Sequence, residues 1–342
     1  MGISIVLDVM GGDYGLTATV GGAAQISLED SDIQVILVGD GAEIQAALLE
    51  CPHNPANLQI VSAKNYVLQE EKASTALKEK QNCSILVAAA LVAEGKGDAL
   101  VSAGNTGAVI LSSVHHFERL EGVRRVGFAA VLPTERRRGK KKDPFALLMD
   151  VGATLHVEPR DLVNFALMGS VYSQIISSND SPKVALLSNG AEETKGAPEV
   201  IEAHQLLKDE EAINFIGNVE GLDIPRGTAD VIICEGFLGN VVLKLLEGIT
   251  ELVSDLAQDA YEKKWIWKVG LTMLSKELRK LKKLTDWKQY GGAPILGFDR
   301  VVIKAHGRSS SRAIRNAIRV AQKAVEGRLI ERIQDGLQEI KK

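Results

Sequence analysis

Short apolar runs alternate with longer segments of helical spacing along most of the 342 residues, and this alternation narrows the fold more than any other feature. "ISIVLD" precedes a helical pattern over 16–28, "IQVILVG" one over 41–49, "DALVSA" one over 105–119, and "KVALLS" one over 198–208. Strands separated by helices in this way pair mainly in parallel. The runs are apolar throughout, as strands are when helices cover both faces of the sheet. The expected fold is therefore α/β, a mainly parallel sheet covered by helices, at a length that suits one or two lobes. The pattern breaks at 239–290, where strand signals stop and helical periodicity continues. The chain divides into an α/β body over 1–238 whose strand-end turns form the pocket, a helical excursion over 239–290, and a return over 291–342 in which a strand and a C-terminal helix complete the body.

A formal charge of −4 with 45% hydrophobic residues gives no global bias toward nucleic acid. Cys51, Cys83 and Cys234 are odd in number and lack C-x-x-C spacing, so neither a disulfide framework nor a zinc site is expected. The opening "MGISIVLDVMGG" has no basic region before a long apolar one, and no run reaches the roughly 18 apolar residues of a membrane span. Val6 stands where a myristoylation signal needs Ser or Thr. A cytoplasmic protein is expected.

Five strand ends share one character: "LDVMGGD" (7–13), "SAGNTG" (102–107), "LSNGAEETKG" (187–196), "CEGFLGN" (234–240) and "KAHGRSSS" (304–311). Each sets Gly with Asn, Ser, Thr or an acid between a strand and a helix. The first N–H groups of a helix lack internal partners and carry the positive end of its dipole, so such turns suit an anion. Ligands of open α/β sheets bind beyond the carboxyl ends of the strands, where these five turns are expected to converge. None matches a P-loop, and "DVMGGD" is not G-x-G-x-x-G, so no nucleotide cofactor is expected.

The pocket so composed offers donors without a nucleophile. There is no G-x-S-x-G elbow, Cys234 lies in an apolar run, and no H-E-x-x-H or clustered ligand spacing suggests a metal. Chemistry in which the substrate brings the nucleophile fits such a site, and inorganic phosphate does so at neutral pH. Lys195 is placed to hold a phosphate oxygen, and His306 and Asn105 to contact phosphate or a developing oxyanion. Gly11, Gly12, Asp13, Gly104, Thr106, Gly107, Gly236, Gly239, Asn240 and Ser309 line the expected cradle. Asp13 either caps the first helix or orients a cation, since an unpaired acid repels phosphate.

At these turns the chain resembles the phosphate acyltransferase family of bacterial phospholipid synthesis. The matching stretches include "MGGD" (10–13), "SAGNTGA" (102–108), "MDVGA" (149–153), "GFLGNVVLKLLEG" (236–248), "YGGAPILG" (290–297) and "VIKAHGRSS" (302–310), in family order across the chain. The resemblance implies transfer of a fatty acyl group from acyl carrier protein to inorganic phosphate. The acyl phosphate would serve a downstream membrane glycerol-3-phosphate acyltransferase. It also implies a homodimer and a body like the isocitrate and isopropylmalate dehydrogenases without nicotinamide. Departures from the family pattern stand at Val9, Tyr14, Gly15, Thr154 and Glu235.

Two basic segments complete the reading. Residues 261–288 carry nine Lys/Arg against three acids and all three tryptophans. Trp265, Trp267, Leu271, Leu274 and Leu278 are expected to contact a membrane surface peripherally, or to pack within a helix hairpin or a dimer. "ERRRGKKKD" (135–143), read as a loop between strands, offers Arg136, Arg137, Arg138, Lys140, Lys141 and Lys142 to acidic acyl carrier protein. The competing functions are a phosphate acetyltransferase using coenzyme A and a non-catalytic lipid or carrier-protein scaffold.

Overall fold

The computed structural model describes residues 2–138, 143–263, 270, 272–274 and 291–340. Their strands form one eleven-stranded sheet. In chain order these are β1 (Ile3–Asp8), β2 (Ile33–Gly39), β3 (Leu58–Ser62), β4 (Ala99–Ser102), β5 (Gly127–Arg138), β6 (Asp143–Met149), β7 (Val184–Leu187), β8 (Phe215–Val219), β9 (Val231–Ile233), β10 (Ala293–Leu296) and β11 (Val301–Lys304). Across the sheet the order is β3-β2-β1-β4-β11-β10-β5-β6-β9-β7-β8. β3 through β11 form one parallel block and β6, β9, β7 and β8 another. The blocks are joined by antiparallel pairing at β11·β10, β10·β5 and β5·β6.

The central strands are mostly apolar on both sides because both faces of the sheet are buried there. On β1, Ile5 and Leu7 enter one core cluster while Val6 enters another. β2, β4 and β11 split in the same way: Leu37, Val101 and Ile303 lie on one side, Ile36, Leu100 and Val302 on the other. The first face is covered by α1 (Gly15–Glu29), α6 (Pro159–Ser177) and α10 (Ser311–Glu326), the second by α4 (Ser84–Ala93) and α5 (Thr106–His116). Peripheral helices are α2 (Gly41–Leu49), α3 (Ala73–Glu79), α7 (Pro198–Lys208), α8 (Asp223–Arg226) and α11 (Leu329–Glu339).

The 28-residue helix α9 (Gly236–Lys263) leaves the body after β9. Val242, Leu243 and Leu246 pack on the third core cluster. Leu238, Val241, Leu245, Ile249, Leu252 and Leu256, spaced by three and four, form an exposed apolar stripe. No described helix is long and apolar enough to cross a membrane. Of the segment expected to meet a membrane, Trp265, Trp267, Leu271 and Leu278 lie outside the described residues, and Leu274 is exposed.

One local expectation is corrected. The stretch containing "ERRR" is not a loop: β5 continues to Arg138, which pairs with Asp143 at the start of β6. A register shift between Pro133 and Arg138 and the Thr134 hydroxyl, which donates to Pro144 O at 3.0 Å, carry the pairing beyond the apolar part of the strands. Ladder hydrogen bonds are made by backbone whatever the side chain, so the pairing persists where charge had suggested a loop. Arg136 and Arg137 thus sit on a hairpin arm, while Lys140, Lys141 and Lys142 lie outside the described residues.

Phe165 on α6 is fully buried against the sheet. Phe165→Ala is expected to cost about 3–5 kcal/mol in equilibrium denaturation. A loss below about 1 kcal/mol would contradict this packing.

Candidate functional site

Three helices begin side by side at the carboxyl ends of neighbouring strands. β1 leads to α1 through Gly11, Gly12 and Asp13, β4 to α5 through Gly104 and Asn105, and β11 to α10 through His306, Gly307 and Arg308. The turns touch backbone to backbone. A Cβ on Gly11 would stand 2.2 Å from Gly104 Cα, and the Asp13 N–H donates to Gly307 O at 2.7 Å. No side chain fits at Gly11, so the positive ends of three helices are gathered in one place.

Each turn is locked from within. Asn105 accepts the Ala108 N–H at 3.1 Å, capping α5, while its amide donates to the carbonyls of Leu68, Gln69 and Glu71 at 3.3, 3.0 and 3.0 Å. Its side chain is therefore engaged in holding the 68–71 loop, and what this turn presents to a ligand is the backbone of Thr106 and Gly107. Ser309 is buried and its N–H donates to His306 O at 3.0 Å, and Ser310 caps α10. Asp13 does not cap α1: Tyr14 holds that position without a side-chain bond, and the Asp13 carboxylate lies 3.9 Å from Arg308 Nε.

His306 has a defined tautomer. The Arg308 N–H donates to Nδ1 at 3.1 Å, so the neutral ring carries its hydrogen on Nε2, which stands 3.9 Å from a Glu247 carboxylate oxygen on α9. Burial holds the imidazole below its ordinary value, against the pull of Glu247, with nearby Lys304 acting in the same direction as burial. The ring is thus a neutral donor at pH 7. Arg308 meets α9 one turn further on, 3.2 Å from Glu251.

Beneath the turns lies an ionisable pair that the sequence reading did not single out. Asp8, at the end of β1, accepts the Ser102 hydroxyl at 2.8 Å and the Met10 N–H at 3.3 Å. Lys304, at the end of β11, is only 5% exposed and donates from Nζ to Ala305 O. Burial pushes Asp8 up, opposed by hydrogen bonds from Ser84 and Ser102 and by Lys304. Burial pulls Lys304 down to about 8, while Asp8 and Asp13 favour its charged form. The signal was a lysine closing "VVIK", a run whose every residue is buried.

A second cluster lies at the ends of β6 and β9. Asp150 accepts N–H groups from Phe128, Gly152, Ala153 and Thr154 at 2.8, 3.1, 3.1 and 2.6 Å. Gly239 presses on it so closely that a Cβ would lie 1.8 Å from Asp150 O, and Asn240 stands beside Gly152. Gly236 donates to Thr154 O at 2.9 Å. Burial raises the Cys234 thiol well above its ordinary value, as an inert core cysteine requires. α9 connects the clusters, since Gly239 and Glu247 are eight residues apart, about 12 Å along the helix. Lys195 stands elsewhere, on the turn after β7, exposed and folded over Gly190. That turn is tied to β8 by Asn218, which donates to Glu192 O at 2.9 Å, and Lys195 has no ion-pair partner among the described residues.

The structure therefore joins Gly11, Gly12, Asp13, Gly104, Asn105 and His306 directly, sets Gly236, Gly239 and Asn240 in the second cluster, and leaves Lys195 on a third turn. Among the described residues no group of three or more His, Cys, Asp or Glu is arranged to hold a metal.

Comparison with known proteins shows the family. A family model described as "Fatty acid synthesis protein" matches residues 3–332. A phosphate acyltransferase from Dictyoglomus turgidum is 41% identical over 339 residues, 99% of this chain and 98% of its own. One from Heliobacterium modesticaldum is 42% identical over 332 residues, 97% and 96% of the two chains. The chain belongs to the phosphate acyltransferase family. It is accordingly an acyltransferase enzyme. The fold is shared more widely: a phosphotransacetylase from Streptococcus pyogenes superposes with a TM-score of 0.61 at 16% identity, covering 95% of this chain and 94% of that one.

The positions expected to depart from the family pattern have the following surroundings. Glu235 caps α9, accepting the N–H groups of Phe237 and Leu238 at 2.6 and 2.8 Å, so its carboxylate already occupies that helix end. Thr154 is buried and donates its hydroxyl to Val126 O at 2.9 Å. Tyr14 is exposed beside the glycine turns.

Gly11→Ala is expected to separate the first two turns, lowering kcat/KM by roughly 100-fold and stability by about 2 kcal/mol or more. Normal kinetics in this variant would show that the contact of the turns is not needed.

Proposed function

We propose that the chain transfers a long-chain fatty acyl group from acyl carrier protein to inorganic phosphate, forming acyl phosphate for phospholipid synthesis. The observation that carries this reading is the cradle of three helix N-termini around the neutral His306, in a chain that belongs to the phosphate acyltransferase family. Phosphate brings its own nucleophilic oxygen, so the protein's work is to position it and to stabilise charge. That oxygen attacks the thioester carbonyl, a tetrahedral oxyanion forms, and the C–S bond breaks with the electron pair leaving on sulfur. The carrier thiol has an ordinary pKa of about 8.5 and departs without strong acid assistance. His306 Nε2–H and the first N–H groups of α1, α5 and α10 are the donors proposed for phosphate and oxyanion. Lys195 is the exposed cation proposed to close on phosphate from the turn after β7.

The partners follow from the same reading. Arg136, Arg137 and Arg138 on the hairpin arm, with Lys140, Lys141 and Lys142, form the proposed dock for acidic carrier protein. The chain acts as a cytoplasmic homodimer that touches the membrane peripherally through Trp265, Trp267, Leu271, Leu274 and Leu278, handing acyl phosphate to a membrane glycerol-3-phosphate acyltransferase.

Purified protein incubated with a long-chain acyl–acyl carrier protein is expected to release free carrier thiol and to form acyl phosphate only when inorganic phosphate is present. Release independent of phosphate, turnover confined to acyl-coenzyme A, or no turnover by folded protein would each refute the reading. In the same assay Lys195→Ala is expected to lower kcat/KM for phosphate by roughly 100-fold; near-normal turnover would remove Lys195 from the site.

A further inference from the structure

A lysine ammonium is rarely buried unless a partner or a task holds it there, because desolvation disfavours its charge. Lys304 is 5% exposed at the end of β11, directly beneath the turns that carry His306 and Gly307. Its ammonium donates to Ala305 O, the carbonyl of the peptide that leads into His306. The groups acting on it are Asp8 from β1 and Asp13 from the turn before α1, with His306 beside it on its own turn. Asp8 is in turn bonded by Ser84 of α4 and Ser102 of β4. From α9, Glu247 and Lys244 act on His306.

The charge balance of this group is unusual for an anion site. Two carboxylates, Asp8 and Asp13, stand at a cradle made of helix N-termini, and left alone they would repel phosphate. Arg308, the other cation of these turns, is exposed and shared between Asp13 and Glu251. Lys304 is the buried cation among them.

The geometry points to Lys304 as a positioning residue for phosphate: in register with Asp8 across Ser102 of β4 and buried beneath the glycine turns, it offsets the field of the two carboxylates and aims the Ala305–His306 peptide at the bound anion. This role rests on the reading of phosphate as the acyl acceptor. It differs from that of Lys195, which stands exposed on another turn.

The role ties the charge of Lys304 to the occupancy of the cradle. An anion bound nearby favours the ammonium form, so phosphate must raise the pH at which Lys304 titrates. Lysine labelled with ¹³C at Cε, in the full chain, can be followed by NMR through a pH titration with and without saturating inorganic phosphate. The Lys304 signal is assigned as the one missing from the spectra of both Lys304→Met and Lys304→Arg. Phosphate is expected to raise its midpoint by roughly one unit.

A second readout separates positioning from mere structure. Lys304→Met is expected to raise the KM for phosphate at least about tenfold while leaving the KM for acyl carrier protein unchanged, and Lys304→Arg to recover most of the loss. A midpoint that phosphate does not move, in protein that still makes acyl phosphate, overturns the role of Lys304 and leaves the reaction standing. Equal losses for both substrates, with Arg no better than Met, do the same. Protein that makes no acyl phosphate, and in which phosphate moves no signal, removes the proposed reaction and this inference with it.

Discussion

The contact of Gly11 with Gly104 is the constraint on which the site depends. With 2.2 Å between a hypothetical Cβ and the facing Cα, only two bare backbones can pass. The adjacency of β1, β4 and β11 in the sheet brings the turns together, and the missing side chains let them meet. Helices covering both faces of the sheet thus start from one small region. Their unpartnered N–H groups supply a positive field at no side-chain cost. Burial follows from the same closeness: Asp8 and Lys304 end their strands under the turns and lose solvent there, so their charges act at short range in a poorly screened place.

α9 extends that arrangement across the molecule. Its start is pinned by Glu235 at the helix end and by Gly239 against Asp150 O, and Glu247 and Glu251 then meet His306 and Arg308. One side of the helix packs on the body, another faces the cradle with charge, and a third exposes an apolar stripe. The helix is therefore two constraints at once, a strut between the two parallel blocks and the wall that places a carboxylate opposite the imidazole. The tautomer of His306 is set by its own turn, through the Arg308 N–H, and its neutrality by burial, so the donor is prepared before any ligand arrives.

Much of this was legible in the sequence, and the limits have physical causes. The runs of β1, β2, β4 and β11 were readable because both faces are buried and all but a few of their residues are apolar. The helices at 41–49 and 198–208 were read with the bounds they have. The helix read over 105–119 ends at His116 because Phe117 turns extended. The β5·β6 arm was missed because a run of arginine and lysine looks like a loop, whereas ladder hydrogen bonds are made by backbone whatever the side chain. In the site, glycine turns announced themselves through composition, but their pairing did not. Which turns touch is a property of strand order, and strand order is not written locally. Asn105 illustrates the same limit: its residue type suggested a ligand contact, while its four hydrogen bonds are spent on the protein. Lys304 was hidden because a lysine at a strand end reads as solvated until the neighbouring strands are placed around it.

Anomalous diffraction at the arsenic edge, from crystals soaked with arsenate as an isostere of phosphate, tests the location of the anion most directly. The arsenic peak is expected within hydrogen-bond reach of the N–H groups that begin α1, α5 and α10 and of His306 Nε2. A peak confined to the Lys195 turn or to the ends of β6 and β9, with the glycine turns empty at saturating arsenate, would contradict the cradle as the seat of phosphate.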